Sequence, residues 1–355
     1  MKIAMVAPFE EAVPPLKYGG TELVVYNIVT ELVALGHEVT VFGSGDSKVP
    51  CRLVPVFPQA VRTIEPYVSD MKAREAVKYL GIAKVVKALS AEPFDIVHNH
   101  IGWRFLLYHE LIGQPVVTTL HGPMHLAYQR VGYDASPGLP FVSISDNQRK
   151  AYPSLNYVRT VYNGIDTSLF QLRGDTEPVS NNRGQYLFLL GRMSPEKGVK
   201  EAIDVAKSAG MKLIIAAKVD SVDLKYYEEV KPMIDGTHIE FIGEINFAEK
   251  VDLIKNAYAL LAPIQWEEPF GLNLIEAMAC GTPVLGMSRG SFPEIIENGR
   301  NGYLSSSVGE MSKQVADVAK ISRNRCRAAV EERFTKAVMA RGYLEVYNQI
   351  LEGKK

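Results

Sequence analysis

Cysteine is scarce in this chain, net charge is nearly absent, and long apolar runs are missing. Cys51, Cys280 and Cys326 have no metal-ligand spacing and make an odd count, so they read as free thiols of a reducing cytoplasm. A net charge of −1 removes any bulk attraction to nucleic acid or to an anionic surface, and no nucleic-acid partner is expected. No run approaches the roughly 18 apolar residues of a membrane span. The opening Met-Lys-Ile-Ala-Met-Val-Ala-Pro resembles the start of a signal peptide. Its apolar run ends at Pro8, however, and Phe9-Glu10-Glu11 follows, which suits a first buried strand. Short-period repeats, low-complexity tracts and a D-x-D motif are also lacking. G-x-G-x-x-G is absent after the first strand, and Gly43-Ser44-Gly45 lacks the third glycine of a dinucleotide fingerprint.

What remains is an ordinary globular composition, 47% hydrophobic and 22% charged, spread over 355 residues. At roughly 100–200 residues per domain, that length implies two domains. Ile3–Ala7, Glu38–Phe42, Asp95–His98 and Pro115–Leu120 read as buried strands. Glu22–Leu35 reads as a helix with Leu23, Tyr26, Asn27 and Thr30 at turn spacing, closed by Gly36, and a second helix covers Asp70–Ser90. The polar, turn-rich stretch Gly174–Gly184 reads as a linker. The alternation then restarts with strand Tyr186–Leu190 and helix Pro195–Lys207. Strands Lys212–Ala216, Ile239–Ile242, Ala259–Pro263 and Pro283–Gly286 follow, with helix Gly271–Ala279 among them and helices over most of Gly309–Leu351. This is an α/β pattern of two doubly wound parallel sheets facing each other across a cleft, and ligands in such sheets bind beyond the carboxyl ends of the strands. The expected domains are 1–170 and 171–335, with a last helix, 336–355, crossing back to the first.

Four loops at strand ends carry candidate chemistry. Lys17-Tyr18-Gly19-Gly20-Thr21-Glu22 feeds a helix, and its glycines let backbone amides approach a ligand; a capped turn is the plainer reading. Thr119-Leu120-His121-Gly122 places an imidazole at a strand end, as a ligand contact or as a structural histidine. Trp103, after His98 and His100, is either an apolar wall for an acceptor or ordinary packing. In Gly191-Arg192-Met193-Ser194-Pro195-Glu196-Lys197-Gly198, two cations bracket a helix start, which suits a diphosphate; solvated surface cations are the alternative. The fourth loop, Gln265–Gly271, puts Glu268 before a helix and Glu276 inside it. Free helix amides seek phosphate, whereas carboxylates accept from sugar hydroxyls, so the pair suggests a nucleotide-sugar. An acid that only favours the helix dipole is the plainer reading of Glu276, and a loop acid beside Glu267 that of Glu268.

On these residues the chain resembles a retaining glycosyltransferase of the GT-B fold, family GT4. The matching segments are the E-x7-E stretch Glu268-Pro-Phe-Gly-Leu-Asn-Leu-Ile-Glu276, Gly191–Gly198, Tyr18–Glu22, His121-Gly122 and Asn163-Gly164-Ile165-Asp166. The resemblance implies two Rossmann-like domains, an acceptor domain followed by a donor domain, and transfer of a sugar from a nucleotide-diphosphate donor to a hydroxyl acceptor. The donor would be a UDP-sugar, with GDP- and ADP-sugars as alternatives. It implies that Arg192 and Lys197 hold the diphosphate, with amides near Phe270, Gly271 and Leu272. Glu276 would accept from the ribose, Glu268 from the transferred sugar, and His121 would contact that sugar. Gly19 and Gly20 would lie near the diphosphate, and Gly243 and Glu244 near the base. The implied mechanism is a front-face displacement needing no metal or other cofactor, with domain closure about a hinge near Ile165–Gly184. A nucleotide-sugar epimerase of the same fold and a non-catalytic nucleotide-sugar-binding protein are the alternatives. Lys72, Arg74, Lys78, Lys84 and Lys87 fall on one helix. They form a solvated face or a patch for an anionic membrane carrying a lipid acceptor, so the expected location is cytoplasmic, with peripheral contact at the inner membrane face as the variant.

Overall fold

The computed structural model describes residues 1–16, 19–173 and 186–353. Lys17 and Tyr18 of the glycine loop and the expected linker Gly174–Gly184 lie outside them. The chain divides into two compact units: Met1–Gly164 with Lys336–Lys355, and Ile165–Thr335. The division falls between Gly164 and Ile165 rather than at residue 170, for a local reason. Gly164 is held by the first unit, its carbonyl accepting from Asn27 Nδ2 at 3.0 Å and its N–H reaching Met339 Sδ at 3.1 Å. Ile165 is held by the second, donating to the Phe334 carbonyl at 2.9 Å and bridging Thr335.

The first unit contains strands β1 (Lys2–Val6), β2 (Glu38–Ser44), β3 (Arg52–Phe57), β4 (Ile96–Asn99), β5 (Val116–Leu120), β6 (Phe141–Ser143) and β7 (Tyr157–Thr160). They form one parallel sheet in the order β3-β2-β1-β4-β5-β6-β7. The sequence reading lacks β3, β6 and β7. β3 is an edge strand carrying Pro55, β6 has three residues, and β7 is an edge strand without a buried residue, so none has the apolar run that marks a central strand. The helices are α1 (Gly20–Ala34), α2 (Met71–Ala91), α3 (Trp103–Leu106), α4 (Ala127–Ala135) and α5 (Asp146–Lys150). α1 does not bury the expected Leu23, Tyr26 and Thr30. It buries Val24, Val25, Asn27, Ile28, Val29 and Leu32, because it packs against both β2 and the C-terminal helix Lys336–Glu352, which demands a broad apolar face.

That C-terminal helix buries Met339, Ala340, Tyr343, Val346 and Tyr347, spaced along one helical stripe. Both tyrosines are fully buried, so their hydroxyls need partners. Tyr347 Oη lies 2.6 Å from His98 Nδ1, and Thr119 Oγ1 donates to Tyr343 Oη at 3.2 Å. On α2, Asp70 caps the N-terminus through the Lys72 and Ala73 amides. Two of the five α2 cations are engaged within the protein. Lys78 pairs with Glu10 at 2.5 Å and Glu75 at 2.6 Å, while Lys84 donates to the Val56 carbonyl at 3.0 Å and covers the Phe57 ring. Among the described residues no helix is long and apolar enough to cross a membrane.

The second unit repeats the architecture with β8 (Tyr186–Arg192), β9 (Lys212–Lys218), β10 (Ile239–Gly243), β11 (Ala259–Ala262), β12 (Val284–Met287) and β13 (Gly302–Ser305). Its parallel sheet runs β10-β9-β8-β11-β12-β13. The helices are α6 (Val199–Ala209), α7 (Leu224–Val230), α8 (Phe247–Asn256), α9 (Leu272–Ala279), α10 (Phe292–Ile295), α11 (Val308–Gln314) and α12 (Arg323–Arg333). The expected helix from Pro195 is instead a 3₁₀ turn, Pro195–Lys197, followed by Gly198 at φ 69° and then α6. A Cβ at Gly198 would lie 1.9 Å from the Pro263 carbonyl oxygen, so the backbone crosses here only as glycine.

Tyr347→Phe retains the buried ring and removes the hydroxyl that meets His98. The unfolding free energy should fall by about 1–3 kcal/mol. Urea denaturation with an unchanged midpoint would show that the bond contributes nothing.

Candidate functional site

The strand order reverses between β8 and β11 in the second unit, and this is where loops can open a crevice at the carboxyl ends of a parallel sheet. The two loops that leave those strands, Met193–Gly198 and Pro263–Gly271, carry the signature residues. They are tied together: the Gln265 N–H donates to the Glu196 carbonyl at 2.8 Å, and Lys197 Nζ forms an ion pair with Glu268 Oε2. Trp266 Nε1 donates to the same carboxylate oxygen at 2.9 Å, and Lys197 Nζ sits 5.5 Å from the centre of the Trp266 ring. Both members of the ion pair are largely buried, so Glu268 is oriented rather than solvated.

The neighbouring Glu267 does different work. Its Oε2 accepts the Gly290 N–H at 2.8 Å, while the Glu268 carbonyl accepts the Ser291 N–H at 3.0 Å. Gly290 has φ 57°, and a Cβ there would come 2.4 Å from the Glu268 N, so the loop after β12 can brace the Glu268 backbone only as glycine. Ser291 Oγ donates to the Phe270 carbonyl at 2.5 Å. Phe270 is buried, and Gly271 at φ 91° precedes α9, which has no side-chain cap. In its first turn the Leu274 N–H donates to the Gly271 carbonyl at 3.1 Å, and the amides of Leu272 and Asn273 belong to the set that a helix start leaves without an intrahelical partner.

Glu276 is the fifth residue of α9 and is 4% exposed. It is paired to Lys250 Nζ at 2.6 Å. Lys250 comes from α8, whose start is fixed by a capping box of Asn246 and Glu249, and its ammonium also faces the Phe247 ring at 4.9 Å. Glu268 and Glu276 therefore take different cations. Arg192 does not stand free beside Lys197 as the sequence suggests. It pairs with Glu196, four positions on, and lies 3.9 Å from Asp223. Ser194 Oγ, between them, is buried with no partner among the described residues. Gly243 ends β10 at φ 76°, next to exposed Glu244, on the edge strand of the sheet.

In the first unit the reversal falls between β1 and β4. Gly19 and Gly20 start α1 without a side-chain cap. His121 follows β5 directly, and its Nε2 lies 2.8 Å from His100 Nδ1. The His100 ring stacks on His121 at 5.1 Å and tilts over His98 at 3.9 Å. His98 Nε2 meets Thr119 Oγ1 at 2.7 Å. Burial holds His98 and His100 well below the usual imidazole range and takes His121 down to about 4. Burial likewise raises Glu22, in the first turn of α1, to about 7, with Glu10 and Glu11 adding repulsion. Among the described residues no group of three or more His, Cys, Asp or Glu is placed to hold a metal ion.

The sequence reading missed Lys250, Trp266, Ser194 and His100. Only His100 had a local signal, since His98 and His100 alternate at the end of a strand and share a face. Nothing in the sequence ties Lys250 to Glu276, because that contact is made by two helices from different crossovers.

Two outcomes follow. Lys250→Met leaves the Glu276 carboxylate buried without a cation and should cost about 3 kcal/mol in urea denaturation. Adding Glu276→Gln should recover most of that loss, and a double variant as unstable as the single one would refute the pairing. The second concerns pH. Stability from the neutral histidines is present above about 6.5 and lost as pH falls through their depressed values, so unfolding becomes easier from pH 6.5 toward pH 4. Glu22 acts with the opposite sign: its contribution is present below 4.5 and lost as pH rises through about 7. Glu22→Gln should therefore reduce the loss on the alkaline side, by up to about 3 kcal/mol between pH 5 and pH 8. Identical pH–stability curves for both proteins would contradict this.

Comparison with known proteins matches this geometry. Residues 175–338 match the sequence model of the glycosyl transferases group 1, and residues 18–169 match that of glycosyltransferase family 4. The N-acetyl-alpha-D-glucosaminyl L-malate synthase of Bacillus anthracis is 28% identical, over 95% of this chain and 96% of its own. AviGT4, a glycosyltransferase involved in avilamycin A biosynthesis, superposes with a TM-score of 0.73 at 23% identity, covering 99% of this chain and 98% of that one. Anabaena Alr3699/HepE, solved with UDP-glucose, gives a TM-score of 0.74 at 18% identity, covering 98% and 100%. Two doubly wound units with these matches constitute a GT-B fold, and the chain belongs to the group 1 glycosyltransferases of the GT4 type.

Proposed function

We propose that the chain transfers a sugar, with retention at the anomeric carbon, from a nucleoside-diphosphate donor to a hydroxyl acceptor. The observation that carries this reading is the Lys197–Glu268 ion pair, steered by Trp266 and braced by Gly290 and Ser291 at the start of uncapped α9. Arg192 and Lys197 bind the diphosphate together with the first amides of α9, exchanging their present carboxylate partners for phosphate oxygens. Glu268 accepts from hydroxyls of the transferred sugar, Glu276 from the ribose, and His121 contacts the sugar. Gly19 and Gly20 approach the diphosphate, while Gly243 and Glu244 lie near the base. UDP is the nucleotide of first choice, since the Anabaena neighbour binds UDP-glucose.

In the step itself, the bond from the anomeric carbon to the leaving phosphate oxygen breaks as the bond to the acceptor oxygen forms on the same face. The acceptor's proton passes to the leaving phosphate oxygen. Negative charge gathers on the diphosphate, and two cations with helix amides are suited to receive it; such preorganised donors are commonly the largest contribution to catalysis. No metal takes part in this scheme. Cys51, Cys280 and Cys326 form no disulfide among the described residues, which suits a reducing cytoplasm as its location.

The test is nucleotide release from a panel of UDP-, GDP- and ADP-sugars, with and without hydroxyl acceptors, L-malate among them. Acceptor-dependent release is the expected result, and EDTA should leave it unchanged. Acceptor-independent release with a free epimerised sugar would replace transfer by epimerisation, and binding without any release would leave a nucleotide-sugar-binding protein. Glu268→Gln should lower kcat by about a hundredfold, some 2.7 kcal/mol, while sparing nucleoside-diphosphate binding. Glu276→Ala should weaken that binding about tenfold in calorimetry. Full activity in both variants would overturn these roles.

A further inference from the structure

His100 has no role in the reading above, yet it is 4% exposed and one of its ring nitrogens is buried without a partner among the described residues. Its surroundings decide where the hydrogens lie. Thr119 Oγ1 donates to Tyr343 Oη, so toward His98 it can only accept, and it takes the hydrogen of His98 Nε2. His98 Nδ1 is then bare and accepts the Tyr347 hydroxyl hydrogen. Both nitrogens of His98 are satisfied, and the ring is a fixed neutral platform against which His100 packs at 3.9 Å.

His100 turns Nδ1 toward His121 Nε2 and leaves Nε2 with no partner among the described residues. Two neutral imidazoles in contact share one hydrogen, which belongs to one ring or to the other. If it belonged to His121, the second hydrogen of the pair would sit on His100 Nε2 as a buried N–H with nothing to accept it. If it belongs to His100, the unmatched atom is only a lone pair, and unmet acceptors are tolerated more often than unmet donors. The second arrangement is favoured. It leaves His121 with its hydrogen on Nδ1.

We propose that His100 is a positioning residue: through the hydrogen bond from its Nδ1 to His121 Nε2 it holds His121 as the Nδ1–H tautomer, so that His121 meets a sugar oxygen as a hydrogen-bond donor. The sugar contact itself rests on the reading given under the proposed function. The depressed ionisation of both rings is consistent with neutral imidazoles across the working pH range. The support reaches back through His98 and Thr119 to Tyr347 and Tyr343 of the C-terminal helix.

The decisive measurement is a long-range proton–nitrogen spectrum of the full chain labelled with ¹⁵N-histidine, in which His121 is identified by its loss in His121→Gln. The expected wild-type pattern is a protonated Nδ1 and a bare Nε2 at His121. His100→Asn, whose amide N–H can replace Nδ1–H, should keep that pattern. His100→Leu should let His121 move to Nε2–H or to a mixture, while the remaining histidine signals confirm the fold. A hydrogen on Nε2 in the wild type, or an unchanged His121 in His100→Leu, overturns the proposal. Turnover of UDP-glucose supplies an independent arm. His100→Leu should lower kcat about tenfold with little change in KM, His100→Asn should restore most of it, and the His100→Leu/His121→Gln double variant should be no slower than His121→Gln. A further full loss in the double variant would contradict action through His121. If UDP-glucose is not turned over at all, the failure lies with the functional reading, and the spectrum still decides the tautomer.

Discussion

Parallel neighbours can be joined only by crossovers, and in the second unit the order of those crossovers reverses where β8 meets β11. The chain lays β9 and β10 on one side of β8, then returns to place β11, β12 and β13 on the other. Right-handed crossovers then carry the helices after β8 and β11 to opposite faces, and the loops between are left without a helix covering them. Lys197, Glu268 and Glu276 of the second unit lie in those two loops and the helix that follows. Gly198 lets one loop pass the Pro263 carbonyl at a distance that would exclude any side chain, and Gly290 lets a third loop support Glu268 from behind. These glycines set how closely the cation of one loop can approach the acid of the other.

The electrostatics of the site follow from that closeness. Glu268 and Glu276, signature acids of one short segment, sit in different surroundings and hold different partners, Lys197 and Lys250. They do not form a proton-transfer pair, since each carboxylate is already engaged by its own cation. Each can instead take hydrogen bonds from hydroxyls on its remaining lone pairs. Lys197 and Arg192 are likewise held by acids, so a diphosphate would compete with Glu268 and Glu196 rather than meet bare cations. Those ion pairs hold the cations in place, and the competition would limit how tightly a diphosphate product could be held.

Central strands, most long helices and the strand-end loops were legible in the sequence because buried parallel strands are written as unbroken apolar runs, and glycine and proline punctuate the turns between them. Edge strands β3 and β7 were not, since half-exposed strands lack that run. The broad apolar face of α1 was missed because its second neighbour, the C-terminal helix, lies far away in the chain. The same limit applies to the site. Arg192, Lys197, Glu268, Glu276 and His121 could be named from local context, as residues at strand ends or helix starts. Their partners Lys250 and Trp266 could not, because partnership is a property of the packed fold. Glu267 and Glu268 are adjacent and chemically identical in the sequence, and the packed fold separates them: Glu267 accepts from the Gly290 amide as a loop brace, whereas Glu268, the candidate sugar contact, is held by Lys197 and Trp266.

The C-terminal helix shows how far such dependence can extend. Its residues Tyr343 and Tyr347 lie one turn apart on the buried stripe, and the chain crosses back into the first unit at Thr335–Lys336 to place them there. Packing alone would be served by phenylalanine. Hydroxyls buried this completely must be matched, and the groups that match them are His98 and Thr119, on the two strands that end at His100 and His121. Burial keeps those imidazoles neutral, and a neutral imidazole is a directional group with one donor and one acceptor nitrogen. The last helix therefore does more than close the first sheet: its two phenols set hydrogen-bond polarity at the base of a histidine column whose outer member is the candidate sugar contact.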